Sequence, residues 1–261
     1  MRIRHRIRQT IGRDAEGVQA ADVRIGLGYT AVRLQDLRTG VAYTMGREKH
    51  RGCAVFQGLR PLAGRPATDL LEFLESDDTL EVGLGLAAAN ALVNMLPVDA
   101  LQGDVLEAVE FHPSDTVAMV GYFGPLVGPL RNRTARLDIF EEDPYRASDL
   151  LPAKEAARKL PEAHVALISS TTIVNDTLDE ILDAATNCRE VVILGSSTPL
   201  LPAAFRGTPV TYLSGMTVQN PDGILQVVSE GGGTRQFKPF VAKWNVAVGR
   251  SASAMAIEEP A

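Results

Sequence analysis

Cysteine, histidine and tryptophan are scarce in this chain of 261 residues, with two, four and one copies, and each scarcity excludes something. Cys53 and Cys188 lie far apart without C-x-x-C spacing, so they form neither a disulfide framework nor a thiolate cluster within the chain, which suits a reducing cytoplasm. His5, His50, His112 and His164 are scattered. No H-E-x-x-H, G-x-S-x-G or P-loop spacing occurs, which takes support from zincin, α/β-hydrolase and nucleotide-hydrolysing readings. Excess positive charge is also missing. The net charge is −6, whereas a nucleic-acid binder needs a basic face for phosphates. The most apolar stretch, LGLAAANALVNML, is interrupted by Asn90 and Asn94 and is too short to span a bilayer. Neither nucleic acid nor membrane is expected as a partner, homo-oligomerisation stays open, and a small-molecule ligand is left.

What is present suits a substantial core: 45% of residues are hydrophobic. The arginine-rich start, MRIRHRIRQTIG, places Ile3, Ile7 and Ile11 four apart, the spacing of an amphipathic helix packed on its own domain rather than a signal peptide. Residues 22–43 alternate apolar and polar side chains in two runs split at Arg38-Thr39-Gly40, the pattern of an antiparallel hairpin. Helical spacing follows over 67–75 and 80–95, the second segment rich in Gly and Ala and stopped by Pro97.

Beyond Gly103 short apolar runs at 116–120, 135–140, 164–168, 190–194 and 209–213 alternate with helical segments at 125–132, 153–160, 177–187, a turn near 201–205, and 222–229. That alternation predicts an α/β fold with a mainly parallel sheet covered on both faces. Residues 1–100 then form an α+β domain, 101–250 a Rossmann-like ligand-binding domain, and 251–261 a frayed tail.

In open α/β sheets ligands bind beyond the carboxyl ends of the strands. The residues after each apolar run are therefore the candidates. Gly121, Tyr122, Phe123 and Gly124 precede Pro125 at a helix start, which is either a bare turn or an anion cradle. Glu141 stands twenty residues beyond Gly121, where an acidic group often meets a ribose diol; acidic residues that merely solvate a strand end fit as well. Ser169, Ser170, Thr171, Thr172 and Asn175 place hydroxyls and an amide ahead of a helix that a capping box of Thr177 and Glu180 would start. Gly195, Ser196, Ser197 and Thr198 repeat the theme. Two hydroxyl-rich loops on neighbouring strand ends suit a phosphate, a carboxylate or the polar edge of a heterocycle. Asn90 and Asn94 share a helix face and either cap nearby backbone groups or reach into an interdomain cleft, which Tyr29 would help close. Gly231-Gly232-Gly233 is a helix stop or, through Gly232, a close backbone approach to a ligand. His112 and His164 precede strands, at the wrong sheet end for a general base. No catalytic residue and no metal ligand is assigned.

Six segments, GLGYTAVRL (26–34), LAAANALVN (86–94), VAMVGYFGPLV (117–127), TTIVNDTLDEIL (171–182), LGSSTPLLP (194–202) and SEGGGTR (229–235), together resemble the bacterial and archaeal heavy-metal chelation family. The resemblance implies a domain like the N-terminal domain of enolase, a Rossmann-like domain with partial likeness to methyltransferases, and a site in the cleft between them. It implies condensation or hydrolysis in flavin, pterin or siderophore-like metabolism, without verified catalytic residues. Enolase chemistry is not implied, since fold does not fix function. Three readings stand: an enzyme of this kind with a nucleotide-like ligand, a non-catalytic binder of a metal ion or its chelate, and a methyltransferase using S-adenosylmethionine.

Overall fold

The computed structural model describes residues 1–46, 60–95 and 99–249. His50, Cys53, Pro97 and the tail 251–261 lie outside the described residues. The chain is a mixed α/β protein with a three-stranded antiparallel sheet and an eight-stranded, mostly parallel one. Among the described residues no helix is long and apolar enough to cross a membrane.

The first half begins with helix α1 (Ile3–Ile11) and strands β1 (Ala20–Ile25), β2 (Tyr29–Leu34) and β3 (Thr39–Tyr43). The expected hairpin is thus a three-stranded meander. Its first reversal falls at Gly26-Leu27-Gly28, where Gly26 N donates to Tyr29 O at 2.9 Å. Its second turns through Leu37, held at φ 70°. Thr39 and Gly40, read from sequence as turn residues, lie inside β3, and the reason is a close approach. A methyl group on Gly40 would sit 2.1 Å from Ala91 N and 2.4 Å from Ala87 O.

Those two residues belong to helix α3 (Thr79–Leu92), which follows α2 (Ala67–Glu72). Asp78 caps α3 by accepting from Leu80 N at 2.9 Å, satisfying one orphan amide of the first turn. The helix is buried on nearly every side from Leu80 to Leu92, as expected for one apolar all round. It ends at Leu92, short of the stop expected at Pro97.

The second half runs β4 (Leu101–Gln102), α4 (Val105–Ala108), β5 (Thr116–Val120), α5 (Gly124–Arg133), β6 (Arg136–Glu141), β7 (Leu151–Pro152) and α6 (Ala156–Lys159). There follow β8 (Val165–Ser169), α7 (Thr171–Val174), α8 (Leu178–Ala184), β9 (Glu190–Leu194), α9 (Pro202–Phe205), β10 (Tyr212–Val218), α10 (Pro221–Ser229), α11 (Thr234–Phe237) and β11 (Val241–Ala247). The sheet order is β4-β11-β10-β9-β8-β5-β6-β7, parallel from β10 to β7 and antiparallel at β10-β11-β4. Four of the five expected strands fall at their places. The fifth, β10, starts three residues late and runs on to Val218 because it pairs along its length with β11, whose Lys243 and Asn245 break up any apolar run.

At the amino edge of the large sheet, Asp115 is buried and accepts from Arg189 Nη1 and Nη2 at 3.1 and 2.9 Å and from His112 N at 2.7 Å. The Arg189 guanidinium holds the Asp115 carboxyl below the usual carboxylate range. His164 Nδ1 accepts from Thr116 N at 2.9 Å, on the same edge.

The two halves share one apolar core. The largest buried cluster joins Ile3, Ile7 and Ile11 of α1 and the leucines of α3 to Val120, Phe140, Ile168 and Ile193 of the large sheet. Helix α1 therefore does not serve the first half alone. It packs on α9 as well as α3, and its buried Arg4 donates to Ile173 O and Val174 O of α7 at 2.7 and 2.6 Å and to Ser76 O at 3.3 Å.

Candidate functional site

The strand order places β6 and β8 on opposite sides of β5, so the loops after β5 and β8 diverge at the carboxyl edge and leave the crevice that open α/β sheets use. Gly121 follows β5 with φ 90°, and a methyl group there would lie 2.7 Å from Ser169 Cβ. Gly195 follows β9 with φ 125°, and its methyl would lie 2.9 Å from Ser170 Oγ. Both glycines are needed: the left-handed backbone favours them, and the neighbouring loop fills the space a side chain would occupy. The polar loops after β5, β8 and β9 are thereby one contiguous set.

Within this set many groups already serve one another. The segment expected as a loop ahead of a helix is itself the short helix α7. Ser169 and Thr171 hydroxyls share a hydrogen bond at 2.8 Å, and Thr172 Oγ1 donates to Ser169 O at 2.6 Å. The capping box does not form. Thr177 is already helical in backbone and its hydroxyl donates to Asn175 Oδ1 at 2.7 Å, while Asn175 Nδ2 reaches Glu142 Oε1 at 3.3 Å.

Glu141 is similarly engaged. Its Oε2 accepts from Tyr122 N at 2.9 Å and Arg146 Nη1 at 3.3 Å, and its Oε1 from Glu142 N at 2.9 Å and Asp143 N at 3.3 Å. A carboxylate offers about four lone-pair positions, so this set uses its capacity to fold the loop. Phe123 packs in the cluster on the α5 side of the sheet, and Gly124 starts α5.

From the first half, Tyr29 reaches the β9 loop: Ser196 Oγ donates to Tyr29 Oη at 3.0 Å. Tyr43 of β3, which the sequence did not single out, donates its amide to Ser197 Oγ at 2.8 Å. The Tyr29 ring meets those of Tyr43 and Phe237 edge-on at 5.7 and 5.0 Å, and Gly233 lies 3.6 Å from it, measured to the position of an added methyl. Burial pushes the Tyr29 phenol up from its ordinary value, against the Ser196 hydrogen bond and the nearby Arg146 charge. Arg146, like Tyr43, carried no signal in the sequence, standing in a polar loop without periodicity.

Asn90 and Asn94 both cross the seam rather than cap their own helix. Asn90 Nδ2 donates to Val41 O at 2.8 Å and Ser197 O at 3.1 Å. Asn94 pairs with the β10 main chain, Nδ2 to Val218 O at 3.1 Å and Val218 N to Oδ1 at 2.7 Å. Asn90 Oδ1 and Thr198 Oγ1 are buried without a partner, two polar atoms on the same seam. Gly232 belongs to the stop of α10 and sits against Val227, where a methyl would meet Cγ1 at 2.5 Å.

Among the described residues no group of three or more His, Cys, Asp or Glu side chains is placed to hold a metal ion. Burial pushes the Cys188 thiol up to about 11, so it is no thiolate at neutral pH.

The sequence profile of a family described as "Putative heavy-metal chelation" matches residues 104–247, and a second profile of the same description matches residues 8–93. An uncharacterized protein of Methanocaldococcus jannaschii is 30% identical over 186 residues, 69% of this chain and 71% of its own length. A crystal structure of a protein of unknown function from Pyrococcus horikoshii superposes with a TM-score of 0.84 at 28% identity, covering 94% of this chain and 100% of that one. One from Desulfitobacterium hafniense, at 21% identity and a TM-score of 0.73, covers 93% and 98% and shares the fold.

Proposed function

The chain belongs to the heavy-metal chelation family, and from that premise we propose that it is a small-molecule enzyme working at the seam between its halves, by condensation or hydrolysis on a flavin-, pterin- or siderophore-like metabolite. In this reading the large sheet serves as a Rossmann-like domain and the first half as an enolase-N-terminal-like wall. The observation that carries it is the Ser196–Tyr29 hydrogen bond across the seam. With its phenol raised above the ordinary value by burial, Tyr29 keeps its proton at neutral pH and can serve as a hydrogen-bond donor; it feels the Arg146 charge and is bonded to the Ser196 hydroxyl of the β9 loop.

The metal enters with its chelator. A soft metal needs thiolate or imidazole ligands, and the described residues do not fit one: Cys188 stays a thiol, and His112 and His164 sit on the opposite sheet edge. No step is assigned to a resident metal.

A thermal-shift series tests the reading. Catecholates, hydroxamates, pterins and flavins, each with and without ferric or cupric ion, are offered to the wild type, Tyr29→Phe and Ser196→Ala. A compound that raises Tm in the wild type and loses most of that effect in both variants supports the seam. Stoichiometric uptake of the bare metal that persists in both variants overturns it in favour of direct metal binding.

A second reading is a non-catalytic binder of a chelate. It is favoured by the engagement of Glu141, whose two carboxylate oxygens are already taken up by four donors. The same engagement weighs against a methyltransferase, where that carboxylate would accept the ribose hydroxyls of S-adenosylmethionine.

A further inference from the structure

A hollow of about 410 Å³ lies away from the Ser196–Tyr29 pair, between the C-terminal end of α3 and the antiparallel strands β10 and β11. Among the described residues no ionisable side chain lines it. One wall is Trp244, the sole tryptophan of the chain. Its Nε1 donates to Thr217 Oγ1 at 2.9 Å, and Gln219 Nε2 donates to the same hydroxyl at 2.9 Å. With the indole N–H committed, Trp244 has its ring face to offer, while Gln219 keeps its Oε1 and the second N–H of its amide. Asn94 fixes the adjoining wall through its two bonds to Val218. Across from the sheet, Met95 supplies an exposed thioether, and Gln102 supplies an amide from β4.

We propose that this hollow is a second binding site, apart from the Ser196–Tyr29 pair, for a neutral planar heterocycle with an amide-like edge. The ring lies on Trp244 and its N–H donates to Gln219 Oε1. The uncharged lining offers a charged ligand no counter-ion to replace its hydration. An indole face and a thioether both favour a flat, polarisable ring. Two amides, each able to donate and accept, match an edge that carries N–H beside C=O. The hollow is preformed, since hydrogen bonds inside the protein hold Trp244, Gln219 and Asn94.

The tryptophan is its own reporter. Hypoxanthine titrated into the full-length protein, with excitation at the red edge of the indole band, is expected to quench the fluorescence saturably. Caffeine, as flat but without N–H groups, is expected to bind at least about tenfold more weakly. Gln219→Leu is expected to weaken hypoxanthine about tenfold, Met95→Ala several-fold, and Ser196→Ala not at all. Trp244→Leu, followed by equilibrium dialysis, is expected to abolish binding. Should Trp244→Leu fail to fold, the surface variants at Gln219 and Met95 decide. Absence of saturable quenching up to the solubility limit overturns the proposal. So does equal binding of caffeine, or binding that survives Gln219→Leu and is lost in Ser196→Ala, which would place the ligand at the Ser196–Tyr29 pair.

Discussion

Arg4→Met is the sharpest test of how the halves are joined. Methionine keeps the apolar stem and removes the guanidinium, so the packing of α1 on α3 and α9 is largely retained. What is lost are the hydrogen bonds to Ile173 O, Val174 O and Ser76 O, at 2.7, 2.6 and 3.3 Å. The first two carbonyls end α7 in a buried setting, and each orphaned acceptor costs about 1–3 kcal/mol. Release of the guanidinium from burial, which lowers its pKa against the pull of Asp176, offsets part of that. The expected net loss is about 3–4 kcal/mol, in the range for removing one partner of a buried charged contact. With a urea m-value of about 3 kcal/mol/M, the unfolding midpoint should fall by about 1 M. Arg2→Met is the control: Arg2 pairs with Asp176 at 3.0 Å in an exposed position, where ion pairs contribute about 0–1 kcal/mol. Hydrogen exchange across residues 171–175 should quicken in Arg4→Met and not in Arg2→Met. Equal midpoints for the two variants, or unchanged exchange at α7, would refute the account of α1 as the strap between the halves.

Gly40→Ala should destabilise by about 3 kcal/mol or more, as overpacking against a backbone does, because the added methyl would lie 2.1 Å from Ala91 N; Gly28→Ala, with nothing within 4 Å among the described residues, should be nearly neutral in the same melt. Tyr29→Phe removes one hydrogen bond and should cost about 1 kcal/mol in urea unfolding; a loss of several kcal/mol would make the residue chiefly structural. Asp115→Asn should destabilise at neutral pH, and its deficit against the wild type should shrink as pH falls. The folded-state pKa of Asp115 lies below its ordinary value, so its contribution is full above about pH 4–5 and is lost as pH drops through the folded pKa; a deficit that grows on acidification contradicts the Arg189 pairing. In a Cys53→Ser background, Cys188 should react with iodoacetamide far more slowly at pH 7.5 than a free thiol, since burial raises it to about 11; fast native-state labelling would show it unburied.

Much of the architecture was legible because it rests on local periodicity. Strands β5, β6, β8 and β9 announce themselves as apolar runs, as parallel strands buried on both faces must, and α1 by its isoleucines. The misreadings have one cause. From sequence Thr39-Gly40 reads as a turn because glycine marks both turns and close approaches, and only the position of α3 distinguishes them. Strand β11 escaped because Lys243 and Asn245 face the neighbours of an antiparallel edge. The Thr177–Glu180 spacing promised a capping box, but Asn175 takes the Thr177 hydroxyl.

The candidate site divides the same way. Glycine and hydroxyl residues at strand ends, and two asparagines on one helix face, could be named from sequence because their residue types are unusual for those places. Their partners could not. Ser196 meets Tyr29 across 167 positions of chain and Asn90 meets Ser197 across 107, distances at which no spacing rule operates. By itself the sequence determined the α/β alternation, the Gly- and Ala-rich helix α3, the family, and which loops carry polar groups, since each follows from short-range pattern. Tertiary structure alone decided that Glu141 is engaged in its own loop, that Arg4 ties α1 to α7, and that Trp244 lines a hollow with Gln219. Hydrogen-bond capacity is finite, and which groups spend it on each other depends on which surfaces the folded chain brings together.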